Sequence, residues 1–224
     1  MTYIGISPDV VAAQYPFLYH MAALGSWSGI KAQGLLSTSA LLDLYGIQGS
    51  ERIALERSHR PRSVILEHAA YASATIRDQK PMSDRGLQRA LQDGLTPEQW
   101  YVMLNDKVFF WVTRGRLERL LGAGEYRHTQ HDVLVLRTAS VLAEYSDRVL
   151  LAGMNTGATN PFPHPRGRDT FLPLSTYPFE ARRKARKEPI VELAVQGGVP
   201  NAAKHAIEVF TAQADQEWKS IWKS

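Results

Sequence analysis

The chain has 224 residues, 44% hydrophobic, 21% charged and 9% aromatic, an ordinary globular composition with enough apolar material for one sizeable core. It has no cysteine, which excludes a disulfide framework, a thiol nucleophile and a zinc site built on Cys, and fits a reducing compartment. The formal charge is +4, and a single domain over 1–224 is expected because no repeat, low-complexity segment or linker divides the chain.

The opening Met1-Thr2-Tyr3-Ile4 carries neither a basic segment nor a long apolar one, so no signal peptide is read there. No apolar run approaches the ~20 residues of a bilayer span. The expectation is a cytoplasmic protein without a membrane partner. Residues 15–20 read as a short strand entered through Pro16. Trp27, Ile30 and Lys31 then fall at helical spacing after a Ser cap, and Gly34 closes the turn. Ser37, Thr38 and Ser39 offer the cap of a second helix reaching Leu44. Residues 50–60 read as an exposed charged helix ended by Pro61, and 64–66 and 74–77 as short segments. Residues 87–94 form a helix stopped by glycine, and Thr96-Pro97 starts another.

The clearest strand is 107–113, aromatic and β-branched throughout. A short helix over 116–121 follows, then strands over 133–136, 148–152, 189–195 and around Ile207 and Val209. Trp218, Ile221 and Trp222 are spaced for a closing amphipathic helix. Short helices crowd the first half and strands the second, with no regular βαβ alternation. This order predicts an α+β fold with mainly antiparallel central sheets and argues against a doubly wound nucleotide-binding fold.

Glu192 is the sharpest chemical signal. A carboxylate inside the apolar run Pro189–Val195 is costly to bury unless its strand lies at a solvated edge or faces a cleft. The first alternative is structural; the second is a catalytic acid held rigidly on a strand. His20 ends a strand between Tyr19 and Met21 and reads as a structural or a functional histidine. Arg77 sits in an apolar-flanked stretch, whereas Arg57, Arg60 and Arg62 lie in a more exposed one. His128 and His131 suggest no third ligand by spacing, so no metal is expected. Between Pro161 and Lys187, seven basic residues stand against two acids, a local charge of +5. Such a segment is a solvated loop or a phosphate-contacting patch.

Three segments together carry a family resemblance. Leu18–Ala22 with Trp27–Ser37 resembles the opening of ADP-ribosyltransferase-fold proteins, where a strand ending in His precedes a helix and a Gly-Leu turn. Val108–Thr113 resembles the aromatic strand of the DarT-type DNA ADP-ribosyltransferase toxins, and Glu188–Pro200 with Ile207–Val209 their catalytic-glutamate segment. The resemblance implies an ADP-ribosyltransferase-like fold and Glu192 as the catalytic carboxylate. It implies a nicotinamide–ribose pocket shaped by Tyr19 and His20, with Phe110 or Trp111 as its aromatic wall. It asks for an arginine between the His strand and the aromatic strand: Arg77 has the better setting, Arg57 or Arg60 the better spacing. It also makes the loop before the Glu192 strand a selector of substrate, with Arg166, Arg168, Arg182 and Arg183 as candidate nucleic-acid contacts.

The expected activity is therefore NAD-dependent mono-ADP-ribosylation of DNA or RNA, as a toxin or phage-defence effector, with an antitoxin as the partner such a toxin would bring. NAD is the co-substrate and no metal is required. The rival readings are a protein ADP-ribosyltransferase or NAD glycohydrolase, and an inactive nucleic-acid-binding member of the fold. A related-fold RNA 2′-phosphotransferase, which uses basic residues and no glutamate, is disfavoured by the internal position of Glu192.

Overall fold

The computed structural model describes residues 5–224. Helix α1 (Pro8–Gln14) begins with proline after Ser7, whose hydroxyl accepts from the Val10 amide. Strand β1 (Phe17–Ala23) leads through a turn into α2 (Trp27–Gln33). Gly34 ends α2 at φ +94°, where a Cβ would meet the Pro200 carbonyl oxygen at 2.5 Å. Glycine is thus required twice there, by conformation and by space. β2 (Leu35–Leu36) follows, then α3 (Thr38–Leu44), capped by Ser37, and α4 (Gly49–Glu56). α4 stops short of the expected residue 60, and Arg60 turns inward instead.

The two short segments at 64–77 pair as a hairpin of β3 (Val64–His68) and β4 (Tyr71–Ile76). α5 (Asp84–Ala90) precedes α6 (Pro97–Asn105), which opens on a reciprocal capping box between Thr96 and Gln99. β5 (Lys107–Trp111), α7 (Arg114–Leu121) and β6 (His131–Arg137) are followed by α8 (Thr138–Tyr145), a helix the sequence pattern did not announce. β7 (Val149–Ala152), β8 (Leu172–Pro173) and α9 (Phe179–Ala185) lead to β9 (Glu192–Gln196). β10 (Gly198–Val199), α10 (Ala202–His205), β11 (Ala206–Ala212) and β12 (Lys219–Lys223) complete the described order.

Eight strands form one sheet in the order β12-β11-β6-β1-β5-β9-β7-β8, and every named pair is antiparallel. The fold is α+β with a large antiparallel sheet. The main core lies against Leu18, Phe110, Leu134, Leu193 and Val209 on one face of this sheet, covered by α1 and α8. Trp100 and Leu104 of α6 and Leu117 and Leu121 of α7 cover parts of the other face. Among the described residues no helix is long and apolar enough to cross a membrane.

The closing segment corrects its expectation: residues 219–223 are strand, not helix. The edge of β11 offered unpaired backbone groups, and pairing with them outweighed a one-turn helix too short to hold itself together. A register shift at Val209/Phe210 lets the two tryptophans act on different surroundings. Trp222 packs on Trp27 (5.0 Å between ring centroids) and Trp218 on Phe210 (5.6 Å).

Candidate active site

β1 and β5 share a single register pair, Tyr19 opposite Trp111, whereas β5 and β9 share five. Next to that pair the His20 ring reaches across, and its Nδ1–H donates to the Phe109 carbonyl at 2.8 Å. A carbonyl can only accept, so this bond fixes the tautomer and leaves Nε2 as the acceptor nitrogen. Burial holds the imidazole neutral, lowering its pKa to about 4 against the help of the Phe109 carbonyl. A cavity of about 330 Å³ opens here, lined among others by His20, Arg77, Phe110, Trp111, Thr156 and Glu192. That volume lies within the ~300–1,000 Å³ range of small-molecule sites.

Glu192 is the first residue of β9, an interior strand between β5 and β7, so the solvated-edge alternative does not hold. Its neighbours in register are Trp111 and Ala152, and it is only 4% exposed. Thr156 answers it twice. The Thr156 hydroxyl donates to Oε2 at 2.6 Å, and the Thr156 amide lies 3.2–3.3 Å from both carboxylate oxygens. Burial nevertheless raises the Glu192 pKa to about 7, opposed by these two donors and by the charges of Arg166 and Arg116. A carboxyl that exchanges its proton near neutrality is suited to general acid–base work.

The three candidate arginines separate by geometry. Arg57 is exposed and pairs with Glu98 at 3.2 Å, and it does not line the cavity. Arg60 does line it but is 6% exposed and fully committed. Its Nε donates to the Arg77 carbonyl (3.0 Å), Nη2 to Asn105 (3.1 Å) and Nη1 to the Leu55 carbonyl. Burial lowers its pKa to about 10. Arg77 lines the cavity with fewer obligations: Nη1 donates to the Met21 carbonyl (3.2 Å), the Tyr126 ring lies 4.9 Å from the guanidinium carbon, and Asp78 stands 4.0 Å away. Asp78 in turn accepts from the Tyr126 hydroxyl at 2.7 Å, so Arg77 is held by a shared ring and carboxylate. Of the three, Arg77 has the position from which a diphosphate or ribose could be bound.

His20, Arg77, Phe110, Trp111 and Glu192 thus converge on one cavity, and Tyr19 does not. Tyr19 shares a sheet face with Met21 and Trp111, which do line the cavity, but lies nearer the start of β1, and it lines a separate depression with Phe17 and Thr113. The expected basic patch is also divided. Arg166 is 1% exposed and cannot contact a phosphate. Each of its three side-chain nitrogens donates to a carbonyl of its own loop: Nη1 to Thr156 (2.9 Å), Nη2 to Ala158 (2.7 Å) and Nε to His164 (3.1 Å). Arg168 remains exposed, with its backbone amide on the Asp93 carboxylate. Arg182 lies half-buried over the Tyr177 ring at 5.2 Å, and Arg183 is exposed but paired with Glu180 at 2.8 Å.

Two residues that the sequence pattern did not single out belong to the arrangement. Thr156 lies in the loop before the Glu192 strand, expected to select the substrate, where nothing in the sequence sets it apart from its polar neighbours. Asp132, fully buried on β6, accepts from the Trp27 amide at 2.9 Å and so fixes the start of α2 beside the cavity. His128 and His131 gain no third ligand, and no group of three or more His, Asp or Glu suited to a metal occurs among the described residues. The chain belongs to a family of unknown function (DUF7002), whose sequence profile matches residues 16–206. No curated protein matches it significantly.

Proposed function

We propose that this member of the family is an NAD-dependent mono-ADP-ribosyltransferase whose acceptor is a nucleic acid, built on an ADP-ribosyltransferase-like fold. The observation that carries the reading is the convergence of a fixed neutral histidine, a cavity arginine, two aromatic residues and a buried glutamate that begins an interior strand. Each has a role in one reaction. Arg77 binds the diphosphate or ribose and orients the leaving group. Trp111 forms the apolar wall for nicotinamide, and His20, backed by the buried Phe110 ring, contacts the adjoining ribose through Nε2. The ionised Glu192 stabilises positive charge developing on the ribose as the C1′–nitrogen bond breaks and nicotinamide leaves with the electron pair. It then accepts the proton that the acceptor nitrogen or hydroxyl loses on bonding to C1′. Thr156 keeps the carboxylate aimed through both steps.

The acceptor is where a second reading competes. Burial of Arg166 and pairing of Arg183 remove two of the four arginines expected at a nucleic-acid strand, which favours a protein acceptor or water. Incubation with NAD labelled in the adenylate phosphate, alongside single-stranded DNA, RNA, duplex DNA and a protein lysate, separates the cases. Label on one nucleic acid is the expected result. Label confined to protein, or free ADP-ribose alone, replaces the nucleic-acid acceptor with the corresponding alternative.

A further inference from the structure

We propose that the shallow depression beside Tyr19 is the seat of the acceptor, and that the acceptor is an unpaired stretch of a nucleic-acid strand. The inference rests on the transferase reading for its purpose, but its geometry is independent of the NAD chemistry. The depression, about 350 Å³, is lined by Phe17, Tyr19, Thr113 and Lys187 among others. Phe17 and Tyr19 are two apart on β1 and therefore present the same sheet face. Phe17 is 36% exposed, an aromatic surface that folding left open to solvent.

The register connects this place to the candidate active site. Tyr19 stands opposite Trp111, and Trp111 opposite Glu192, so the three occupy one cross-strand row. At ~4.8 Å per strand, Tyr19 and Glu192 are only ~10 Å apart along the sheet. A base resting on Tyr19 would thus lie against Trp111, which also lines the cavity that holds Glu192.

Charge complementarity selects the occupant. Arg137 lies directly opposite Phe17 on β6, and Lys187 lines the depression. Both are exposed, and neither has an ion-pair partner among the described residues. The lining carboxylate, Glu188, is engaged by Arg116 and by Arg119 at 3.7 Å and is attracted by Lys187 without pairing with it, so the surroundings keep a net positive charge. Two aromatic rings beside two exposed cations that lie outside any ion pair form a stacking platform with phosphate contacts at hand. Unpaired bases offer a ring face to such a platform, whereas a duplex keeps its bases stacked on one another.

Fluorescence anisotropy with labelled 20-mers, measured without NAD, tests the site. The wild-type chain is expected to bind single-stranded DNA or RNA more tightly than duplex. Arg137→Glu/Lys187→Glu should weaken that binding at least tenfold and reduce the salt slope by about 1–2. Phe17→Ala should weaken it about fivefold or more without changing the slope. If the double variant does not fold, as read by its melting curve, Lys187→Glu alone carries the test with a slope change of about 0.7. Wild-type affinity in the charge variants, no binding by the wild type, or preference for duplex would each overturn the assignment. Oligonucleotide binding without any NAD turnover by the wild type would leave this site standing and remove the enzymatic reading.

Discussion

Exchange of Arg166 for methionine is expected to destabilise the protein by about 3 kcal/mol, lowering its melting temperature by ~6–12 °C. The side chain is enclosed, with its guanidinium carbon 5.6 Å from the Trp100 ring, and its backbone is tied to Ala90 at the end of α5 and to Gln92 just beyond it. Methionine fills much of the same space but donates nothing. The carbonyls of Thr156, Ala158 and His164 would lose their shared donor in a place where water enters poorly. Relief from burying a cation offsets part of that loss, which is why the figure is below the sum of three charged hydrogen bonds. The effect should reach the cavity, because the loop that Arg166 gathers is the one that brings Thr156 to Glu192. Activity should therefore fall at least tenfold even at temperatures where the variant is folded. Lysine at 166 keeps the charge but only one nitrogen, so it should recover part of the stability and little of the alignment. A methionine variant that melts with the wild type would show that Arg166 does not organise this loop.

Replacing Glu192 with glutamine is expected to stabilise the protein above neutral pH. The folded-state pKa of about 7 lies above the ordinary 4.5, so between those values the folded chain holds a proton that the unfolded chain releases. The stability of the neutral carboxyl is fully present below about pH 4.5 and is lost as pH rises through about 7. Glutamine is nearly isosteric, still accepts from Thr156 and does not ionise. The difference between variant and wild type should be near zero at pH 4 and grow to at most about 3 kcal/mol at pH 8. Urea melts at the two pH values measure it. Parallel pH dependences in the two proteins would show that Glu192 does not ionise in a buried setting. The same ionisation sets the expected rate profile: a reaction needing the carboxylate rises with pH through about 7. A stability gain joined to a loss of activity is the usual mark of a functional group held in an unfavourable place.

How far the site could be read beforehand depended on whether a residue's role shows in its immediate neighbours. Glu192 stood out because a carboxylate among Ile190, Val191, Leu193, Ala194 and Val195 contradicts its surroundings. The aromatic strand at 107–113 and the glycine turn at Gly34 were legible for the same local reason. The choice among Arg57, Arg60 and Arg77 was not, because it depends on acceptors distant in sequence: Asn105 and Leu55 for Arg60, Tyr126 and Met21 for Arg77. Arg166 was misplaced because charge density along the chain says nothing about which cation a loop will wrap around. The Trp218–Trp222 spacing suits a helix, but the open edge of β11 decided the outcome, and an edge is a property of the assembled sheet. Tyr19 and His20 are neighbours in sequence yet line two different hollows, because the cavity opens beside the later residues of β1 and the depression beside the earlier ones, a division that shows only in the assembled sheet.

Release of nicotinamide from labelled NAD, compared between the wild-type chain and Glu192→Gln at pH 8, decides whether this protein transfers ADP-ribose through Glu192. Release by the wild type, accelerated by single-stranded nucleic acid, is expected, with a loss of about a thousandfold or more in a variant that melts no lower than the wild type. Equal release by the two proteins, or none by the wild type with any acceptor, would contradict it.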